Sequence, residues 1–257
     1  MGKFDGVLIC SDFDGTVFDG NEVPEITRCA IKRFMDEGGK FCICTGRGPE
    51  FLQGMADYLR GNTYSICYGG ALICDIWTGV VLREGFVDPD AFDVLDGLLS
   101  SGAQTVRINF MRQNGVIDRY TPDEYEKNKS TIDRKAYKIT LNGKDDSDGE
   151  LYVKFAKETP KDKYTLARSF SSYIEIMKRD LTKGYAAKFL KEKLGATLLI
   201  GMGDYENDIP LFREADVSYA VGNAVDELKA IASKVVKETV TDGAAEAIIK
   251  DIESSLI

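Results

Sequence analysis

A short apolar strand that runs straight into two carboxylates constrains the fold of this chain more than any other feature. Val7–Cys10 is apolar and β-prone enough for a strand buried on both faces of a parallel sheet. Asp12, Asp14 and Gly15 follow it. Since open α/β sheets bind ligands beyond the carboxyl ends of their strands, the pattern predicts a site at the aspartates. Asp-x-Asp-Gly is also common in plain turns, so the interpretation depends on what the other strand ends carry.

Helices and strands alternate after this motif. Apolar periodicity predicts a helix after Pro24, a strand at 40–44, a helix from Pro49, a strand at 64–68 and a hairpin at 71–82. In the first helix Ile26, Ala30 and Phe34 are expected to be buried, and in the second Ala56 and Leu59 extend the apolar face. The β-α-β-α order implies parallel strands joined by right-handed crossovers.

The pattern changes near residue 83. After a helix that begins at Asp88 and ends at Leu99, strand-like alternation dominates at 105–110, 115–120, 137–141, 164–170 and 173–177. A helix is favoured at 150–158, and the charged run Gly143–Gly149 is interpreted as a solvated loop. From Thr182 the alternation of helices and strands resumes.

These elements predict an α/β fold with two domains, which a chain of 257 residues is long enough to form. Residues 1–82 and 180–257 are expected to form a Rossmann-like core around a parallel sheet. Residues 83–179 are expected to form an α+β domain inserted into that core.

The composition excludes several kinds of chemistry. The chain has no histidine, which rules out Ser-His-Asp and Cys-His nucleophile pairs and histidine-ligated zinc. The formal net charge is -9 and no Lys/Arg-rich run stands out, so we expect neither nucleic acid nor a membrane as a partner. The six cysteines lack C-x-x-C spacing and the N-terminus lacks an apolar signal region, which favours buried, reduced thiols in a cytoplasmic protein.

Four polar features lie where predicted strands end or helices begin. They are Asp12 with Asp14; Thr45, Gly46 and Arg47; Lys183; and Asp204 with Asn207 and Asp208. Each has a structural alternative: Thr45 as a helix cap, Lys183 as a solvated helix residue, and the Gly-Asp-x-x-Asn-Asp run as a loop cap. Their joint occurrence in this order favours a single site.

The order, types and spacing of these residues resemble the four motifs of the haloacid dehalogenase superfamily of phosphohydrolases, beginning with SDFDGT at 11–16. The insertion between the Thr45 and Lys183 motifs resembles the C2-capped branch, in particular the Cof-type (subfamily IIB) sugar-phosphate phosphatases. The closing strings VGNAVDELKAIASKVV and TDGAAEAI also resemble that branch. The resemblance extends over most of the chain and implies that the inserted domain is a C2-type cap.

Physical chemistry supports a metal ion and a carboxylate nucleophile. Neighbouring carboxylates among Asp12, Asp14, Asp204 and Asp208 would repel by about 4 kcal/mol per pair at ~4 Å and an effective dielectric constant of ~20. Protons or a cation must offset this repulsion, and an oxygen-rich pocket suits Mg²⁺. Without a histidine to activate serine, a carboxylate is the most economical nucleophile.

The resemblance implies specific roles in phosphoryl transfer. Asp12 is expected to attack phosphorus and form an aspartyl-phosphate, while Asp14 protonates the leaving alcohol and then deprotonates the hydrolytic water. Thr45 and the Gly46 backbone are expected to hold the phosphoryl oxygens. Lys183 is expected to neutralise their charge and to hold Asp12.

The same resemblance implies a magnesium site. Its ligands are expected to be the Asp12 carboxylate, the Asp14 backbone carbonyl and Asp204. Asn207 and Asp208 are expected to orient the loop that carries Asp204, and Asn207 is also a candidate for binding phosphate.

Two further positions bear on the substrate. Arg47 is a candidate for contacting it, and equally for forming a salt bridge at the rim of the site. Where Cof-type chains usually carry Asn-Gly-Ala, this chain has Gly69, Gly70 and Ala71, so one polar contact is missing.

The expected function follows from the acid that stands two residues after the nucleophile. In this superfamily such an acid, here Asp14, is typical of phosphate transfer from oxygen. We therefore expect a Mg²⁺-dependent phosphomonoesterase acting on small phosphorylated metabolites, with sugar phosphates as the expected class. A phosphotransferase or phosphomutase, and a non-catalytic protein that binds a phosphorylated ligand, are the alternatives.

Overall fold

The computed structural model describes residues 2–55, 57–158 and 164–255. The chain divides into two compact units. The core unit comprises Met1–Leu82 and Lys183–Ile257, and the inserted unit comprises Arg83–Thr182. In the described part of the chain, no helix is both long and apolar enough to cross a membrane.

The elements alternate much as the periodicity predicts. The described strands are β1 (Val7–Ser11), β2 (Lys40–Ile43), β3 (Ser65–Cys67), β4 (Leu72–Cys74), β5 (Val81–Glu84), β6 (Thr105–Met111), β7 (Ile117–Tyr120), β8 (Lys138–Gly143), β9 (Tyr164–Phe170), β10 (Tyr173–Lys178), β11 (Leu198–Gly203), β12 (Val217–Ala220) and β13 (Lys234–Val235). The described helices are α1 (Glu25–Asp36), α2 (Pro49–Gly54), α3 (Ala91–Leu99), α4 (Pro122–Asn128), α5 (Asp146–Glu158), α6 (Lys183–Leu194), α7 (Ile209–Glu214), α8 (Asp226–Lys229) and α9 (Ala244–Ser255).

A parallel sheet of five strands forms the centre of the core unit. Its strand order is β13-β12-β11-β1-β2, and each described pairing between neighbours is parallel. β1 lies between β11 and β2, and all of its residues are buried, as its apolar sequence predicts. The predicted α/β fold with a parallel core sheet is therefore confirmed. Because β1, β2, β11 and β12 run in the same direction, the loops that follow them meet at one edge of the sheet.

The first two helices differ from their predicted details. α1 buries Ala30 and Phe34 as expected, but Ile26 is 41% exposed, so its predicted burial is wrong. Ile31 belongs to the buried stripe instead, because the apolar face of the helix is rotated by a fraction of a turn. α2 ends at Gly54, and Leu59 is buried from a turn beyond it. Ala56 lies outside the described residues.

The cysteines and the third strand also depart from the simple pattern. The described cysteines are free, and Cys29 is exposed whereas the others are buried, so the prediction of buried thiols is wrong for that residue. β3 is not a regular member of the parallel sheet, since it pairs antiparallel with β4 in a three-stranded sheet ordered β3-β4-β5. A single parallel bridge between Cys44 and Ile66 joins β3 to the chain just after β2.

The inserted unit contains a five-stranded sheet ordered β7-β6-β8-β10-β9, with antiparallel pairing between the described neighbours. Alternate residues of its central strands form one apolar cluster with residues of α3, α4 and α5; the strand members are Ile108, Phe110, Ile139, Leu141, Ile174 and Ile176. The alternating residues Asn109, Thr140 and Glu175 stand in line across the three strands, on the opposite face. The predicted α+β character of this segment is confirmed.

Two elements of the inserted unit differ from the sequence prediction. α4 was not predicted, although Thr121 and Glu124 form a capping box at its start. α5 begins at Asp146, so the interpretation of Gly143–Gly149 as a solvated loop is wrong for its second half. The reason is Asp148, which is buried and accepts hydrogen bonds from the backbone N–H groups of Gln104 (2.7 Å) and Lys144 (2.9 Å).

Candidate active site

A buried lysine lies between two aspartates at the edge of the core sheet. Asp12 follows β1, Lys183 is the first residue of α6, and Asp208 follows β11. The Lys183 Nζ donates to Oδ1 of Asp12 and to Oδ1 of Asp208, at 2.7 Å in each case. All three residues are buried: Lys183 is 2% exposed, Asp12 is 5% exposed and Asp208 is 0% exposed. Burial by itself lowers the pKa of Lys183, but the two carboxylates raise it well above its usual range, so the ammonium stays charged.

Asp208 shapes the loop that carries Asp204. Its Oδ2 accepts hydrogen bonds from the backbone N–H groups of Asp204 (3.0 Å) and Tyr205 (3.3 Å). A Cβ at Gly203 would lie 2.4 Å from this oxygen, so only glycine leaves room for the bend. Both oxygens of Asp208 are thus engaged, one by Lys183 and one by the loop. The supporting position expected for Asp208 agrees with these contacts.

Three carboxylates in this region could hold a metal ion. Oxygens of Asp12, Asp204 and Asp208 all lie within 4.8 Å of one another. Three carboxylates and one ammonium leave two negative charges, which a divalent cation would neutralise, and an all-carboxylate oxygen set suits a hard cation such as Mg²⁺. Since Asp208 is already engaged, Asp12 and Asp204 are the side chains best placed to bind it.

The same charges perturb proton binding. Burial and the neighbouring carboxylate of Asp208 raise the pKa of Asp204 to about 7. Burial, Asp208 and Asp204 also raise the pKa of Asp12, while Lys183 opposes this shift. The Thr16 hydroxyl donates to Oδ1 of Asp204 at 2.8 Å and favours its charged form. The site therefore binds protons readily when no cation is present.

Asp14 does not belong to this acidic group. Its two oxygens accept hydrogen bonds from Nε (3.0 Å) and Nη2 (2.9 Å) of Arg47, whose guanidinium lies 4.3 Å from the ring centroid of Phe51. The expectation that four carboxylates meet is thus wrong for the Asp14 side chain, because Arg47 supplies its counter-charge. Of the two interpretations given for Arg47, the salt bridge is the one present in this structure.

Thr45 and Gly69 are linked through the backbone. The Thr45 hydroxyl is buried and accepts the backbone N–H of Arg47 at 3.1 Å, which is a turn interaction and not the helix cap offered as its alternative role, because the residue that caps α2 is Gly48. The Thr45 carbonyl accepts the N–H of Gly69 at 2.9 Å. Gly69 has φ 71, a conformation that glycine adopts without strain. Thr45 and Gly46 are therefore held at the end of the strand whose neighbour carries Asp12.

Asn207 is notable for an atom that makes no hydrogen bond. Its side-chain Oδ1 is buried and has no hydrogen-bond partner among the described residues. A buried acceptor without a donor carries a desolvation cost, and such atoms commonly face a ligand or an ion. This atom is in keeping with both roles expected for Asn207, orienting the loop and binding phosphate.

Two residues at the site were not singled out from the sequence. Thr16 lies in the first motif, but its bond to Asp204 spans 188 positions along the chain. Asn223 donates from Nδ2 to the carbonyl oxygen of Gly15 at 2.8 Å. A signal for Asn223 was present, because Gly222, Asn223 and Ala224 follow a strand as the other site residues do.

Comparison with known proteins gives a consistent answer. A family profile described as haloacid dehalogenase-like hydrolase matches residues 9–248. The chain is 30% identical to "Putative phosphatase YxeH" of Bacillus subtilis, over 94% of this chain and 96% of the relative. It is 27% identical to 5-amino-6-(5-phospho-D-ribitylamino)uracil phosphatase YcsE of the same bacterium, over 94% of each chain.

A solved structure shows the same fold. A haloacid dehalogenase-like hydrolase from Bacillus subtilis superposes with a TM-score of 0.78 at 21% identity, over 95% of this chain and 98% of the other. The motifs, the fold and the profile agree, and the chain belongs to the haloacid dehalogenase-like hydrolase family.

Proposed function

We propose that this protein is a Mg²⁺-dependent phosphomonoesterase that acts on small phosphorylated metabolites through an aspartyl-phosphate at Asp12. The observation that carries the proposal is the buried lysine shared by Asp12 and Asp208 beside a third carboxylate, Asp204. Lys183 favours the charged, nucleophilic form of Asp12, and a carboxylate nucleophile needs no histidine, which this chain lacks. The relatives named as phosphatases support the same reaction class.

The first half of the proposed reaction transfers the phosphoryl group to the protein. An Oδ atom of Asp12 attacks phosphorus, and the bond between phosphorus and the ester oxygen breaks. The Asp14 carboxyl gives its proton to the departing alkoxide, which leaves as a neutral alcohol. Thr45, Gly46 and Lys183 stabilise the charge on the transferring oxygens.

The second half regenerates the enzyme. The Asp14 carboxylate takes a proton from water, whose oxygen attacks phosphorus and breaks its bond to Asp12, so that inorganic phosphate leaves. When bound by Asp12, the Asp14 carbonyl and Asp204, Mg²⁺ would neutralise charge on the phosphoryl oxygens. The residues present fit such an ion in charge and in donor type.

Asp14 has to leave Arg47 before it can act on a leaving group. Both of its oxygens are bound to the guanidinium, which occupies the face that a proton transfer would use. A phosphate ester carries oxygens of the same charge and is a competing partner for Arg47. We infer that substrate binding exchanges one partner of Arg47 for another and so releases Asp14.

The substrate class belongs to the same proposal. One relative is named for a phosphorylated ribityl compound, and the sequence motifs resemble sugar-phosphate phosphatases. Sugar phosphates and phosphorylated sugar alcohols are therefore the first compounds to assay.

The test is a phosphate-release assay on a panel of phosphorylated metabolites, with Mg²⁺ and with EDTA. Wild-type protein is expected to release phosphate only with Mg²⁺, and Asp12→Asn to release none. Asp36→Asn, an exposed aspartate on α1 paired with Lys32, serves as the matched control and should retain full activity. Intact-mass measurement after rapid acid quenching should detect a phosphorylated wild-type chain and no phosphorylated Asp12→Asn chain.

The other outcomes separate the alternatives. Transfer of phosphate to an added sugar acceptor, in preference to water, would identify a phosphotransferase. No phosphate from any compound would contradict the proposal and favour a protein that only binds a phosphorylated ligand.

A further inference from the structure

The loop that follows β12 is tied to the turn that carries Asp14. Asn223, in this loop, donates from Nδ2 to the carbonyl oxygen of Gly15 at 2.8 Å. Its Oδ1 accepts the backbone N–H of Val240 at 3.1 Å. The carboxamide thus uses its donor and its acceptor on two different segments, which fixes its orientation.

The peptide held by Asn223 lies against the Asp204 carboxylate. Gly15 has φ 78, and a Cβ there would be 2.4 Å from Oδ2 of Asp204. The next residue, Thr16, donates to the other oxygen, Oδ1, at 2.8 Å. The turn at residues 14–16 therefore holds one oxygen of Asp204 through Thr16 and passes close to the other at Gly15.

The same loop also holds the backbone of Asp204. The N–H of Val225, two residues after Asn223, donates to the Asp204 carbonyl oxygen at 2.9 Å. The loop after β12 thus contacts the turn at residues 14–16 and the Asp204 loop at once. Asn223 is the link to the first of these two.

We propose that Asn223 is a positioning residue, which holds the Gly15 carbonyl so that Asp14 and the Asp204 carboxylate keep the geometry needed for metal binding and proton transfer. The expected effect on kinetics rests on the proposed function. The expected effect on metal binding rests on the geometry of the carboxylates alone. Asn223 itself touches neither Asp14 nor Asp204 through a described hydrogen bond, so it acts through the Gly15 peptide.

Two substitutions and one matched control test this role. Asn223→Ala removes both hydrogen bonds from an exposed side chain, at little packing cost. Asn223→Asp keeps an acceptor for Val240 but sets a carboxylate oxygen against the Gly15 carbonyl oxygen, so the two acceptors repel. The added negative charge would by itself strengthen the binding of a cation. Weaker Mg²⁺ binding in this variant would therefore show that the geometry of the carboxylates has been lost. The control is Lys229→Ala, because Lys229 Nζ donates to the Gly222 carbonyl at 2.8 Å and so braces the same loop without touching Gly15.

The first readout is the Mg²⁺ concentration equal to the apparent dissociation constant, obtained by fitting the rise in melting temperature against added Mg²⁺. We expect this concentration to increase about tenfold or more in both Asn223 variants, as for other residues that orient metal ligands. It should stay within about twofold of wild type in Lys229→Ala, even if that variant melts earlier. The second readout is phosphate release, where the Asn223 variants should lose about tenfold or more in kcat at saturating Mg²⁺ with little change in KM.

The other possible outcomes also decide whether Asn223 is a positioning residue. Equal effects of Asn223→Asp and Lys229→Ala on Mg²⁺ binding would show that the loop matters only as a structural brace and would overturn the proposal. Wild-type Mg²⁺ binding in both Asn223 variants would overturn it as well. If wild-type protein hydrolyses no phosphate ester, the proposed function fails, while the Mg²⁺ titration still decides the role of Asn223.

Discussion

Replacing Lys183 with Met would test the electrostatic basis of the site. The substitution keeps most of the apolar length of the side chain and removes the ammonium that Asp12 and Asp208 share. Each contact of 2.7 Å corresponds to about 6 kcal/mol of attraction at an effective dielectric constant of ~20. The net loss is smaller, because burying the ammonium costs free energy and the carboxylates can take up protons. For a buried pair broken on one side we expect about 3–5 kcal/mol less stability.

A second lysine on the same helix provides the control. Lys188 pairs with Glu214 at 2.9 Å, but the two side chains are 55% and 37% exposed. Lys188→Met should therefore leave the stability close to that of wild type, as is usual when an exposed ion pair is removed. Urea unfolding at neutral pH, followed by circular dichroism, measures both variants against wild type.

The difference in stability between wild type and Lys183→Met should also change with pH in a definite direction. Burial and the other carboxylates raise the pKa of Asp12, and Lys183 opposes that shift. Without the lysine, the pKa of Asp12 in the folded protein is higher still than in wild type, so the variant gains stability relative to wild type as the pH falls. The difference in stability between wild type and the variant should thus narrow as the pH falls from neutral. A loss below about 1 kcal/mol, or a gap that widens on acidification, would refute the reasoning.

Three further predictions concern other parts of the molecule. Mg²⁺ should raise the melting temperature more at about pH 8 than at about pH 6. The reason is that burial and Asp208 raise the pKa of Asp204 to about 7, so that protons compete with the ion below that value. Scanning fluorimetry measures the two rises in melting temperature, and equal rises would contradict the prediction. Gly15→Ala should lower the melting temperature and weaken Mg²⁺ binding, since its Cβ would lie 2.4 Å from Asp204 Oδ2. Gly20→Ala, with a φ of 102 and no atom within 4 Å of its Cβ, should show only the smaller cost of backbone strain. In the inserted unit, Lys138→Met should cost about 3–5 kcal/mol of stability, because it leaves the Glu175 carboxylate buried without its ammonium partner. Combining Lys138→Met with Glu175→Leu should recover most of that loss in urea unfolding. A double variant that loses as much stability as the two single variants together would contradict this expectation.

Much of the fold and the neighbourhood of the site were predictable from local sequence. The strands around Val7–Cys10 and 40–44 are short apolar runs that end in polar motifs, and this pattern depends only on nearby residues. Parallel strands then bring the loops after β1 and β11 together, which is why Asp12 and Asp204 meet although they are far apart in the chain.

What the sequence could not reveal depends on contacts between distant residues. The start of α5 is set by Asp148, whose partner Gln104 lies 44 positions away. The Asp14 side chain turns to Arg47 because the two loops meet in space, and no periodicity encodes that pairing. α4 is different, since the capping box at Thr121 and Glu124 is a local signal that was present and passed over.

The position of β1 in its sheet bears on the order in which the chain acquires its structure. β1 precedes the inserted unit in the chain, whereas one of its two neighbours, β11, follows that unit and ends at Gly203. The inserted unit is one continuous segment, Arg83–Thr182, and needs no later residues to complete its sheet. Since domains generally fold as units while the chain is being made, this segment can fold before β11 is available to complete the core sheet. The sheet of the inserted unit would thus form before the core sheet is complete, and β1 would have both of its edges paired only once β11 has been made.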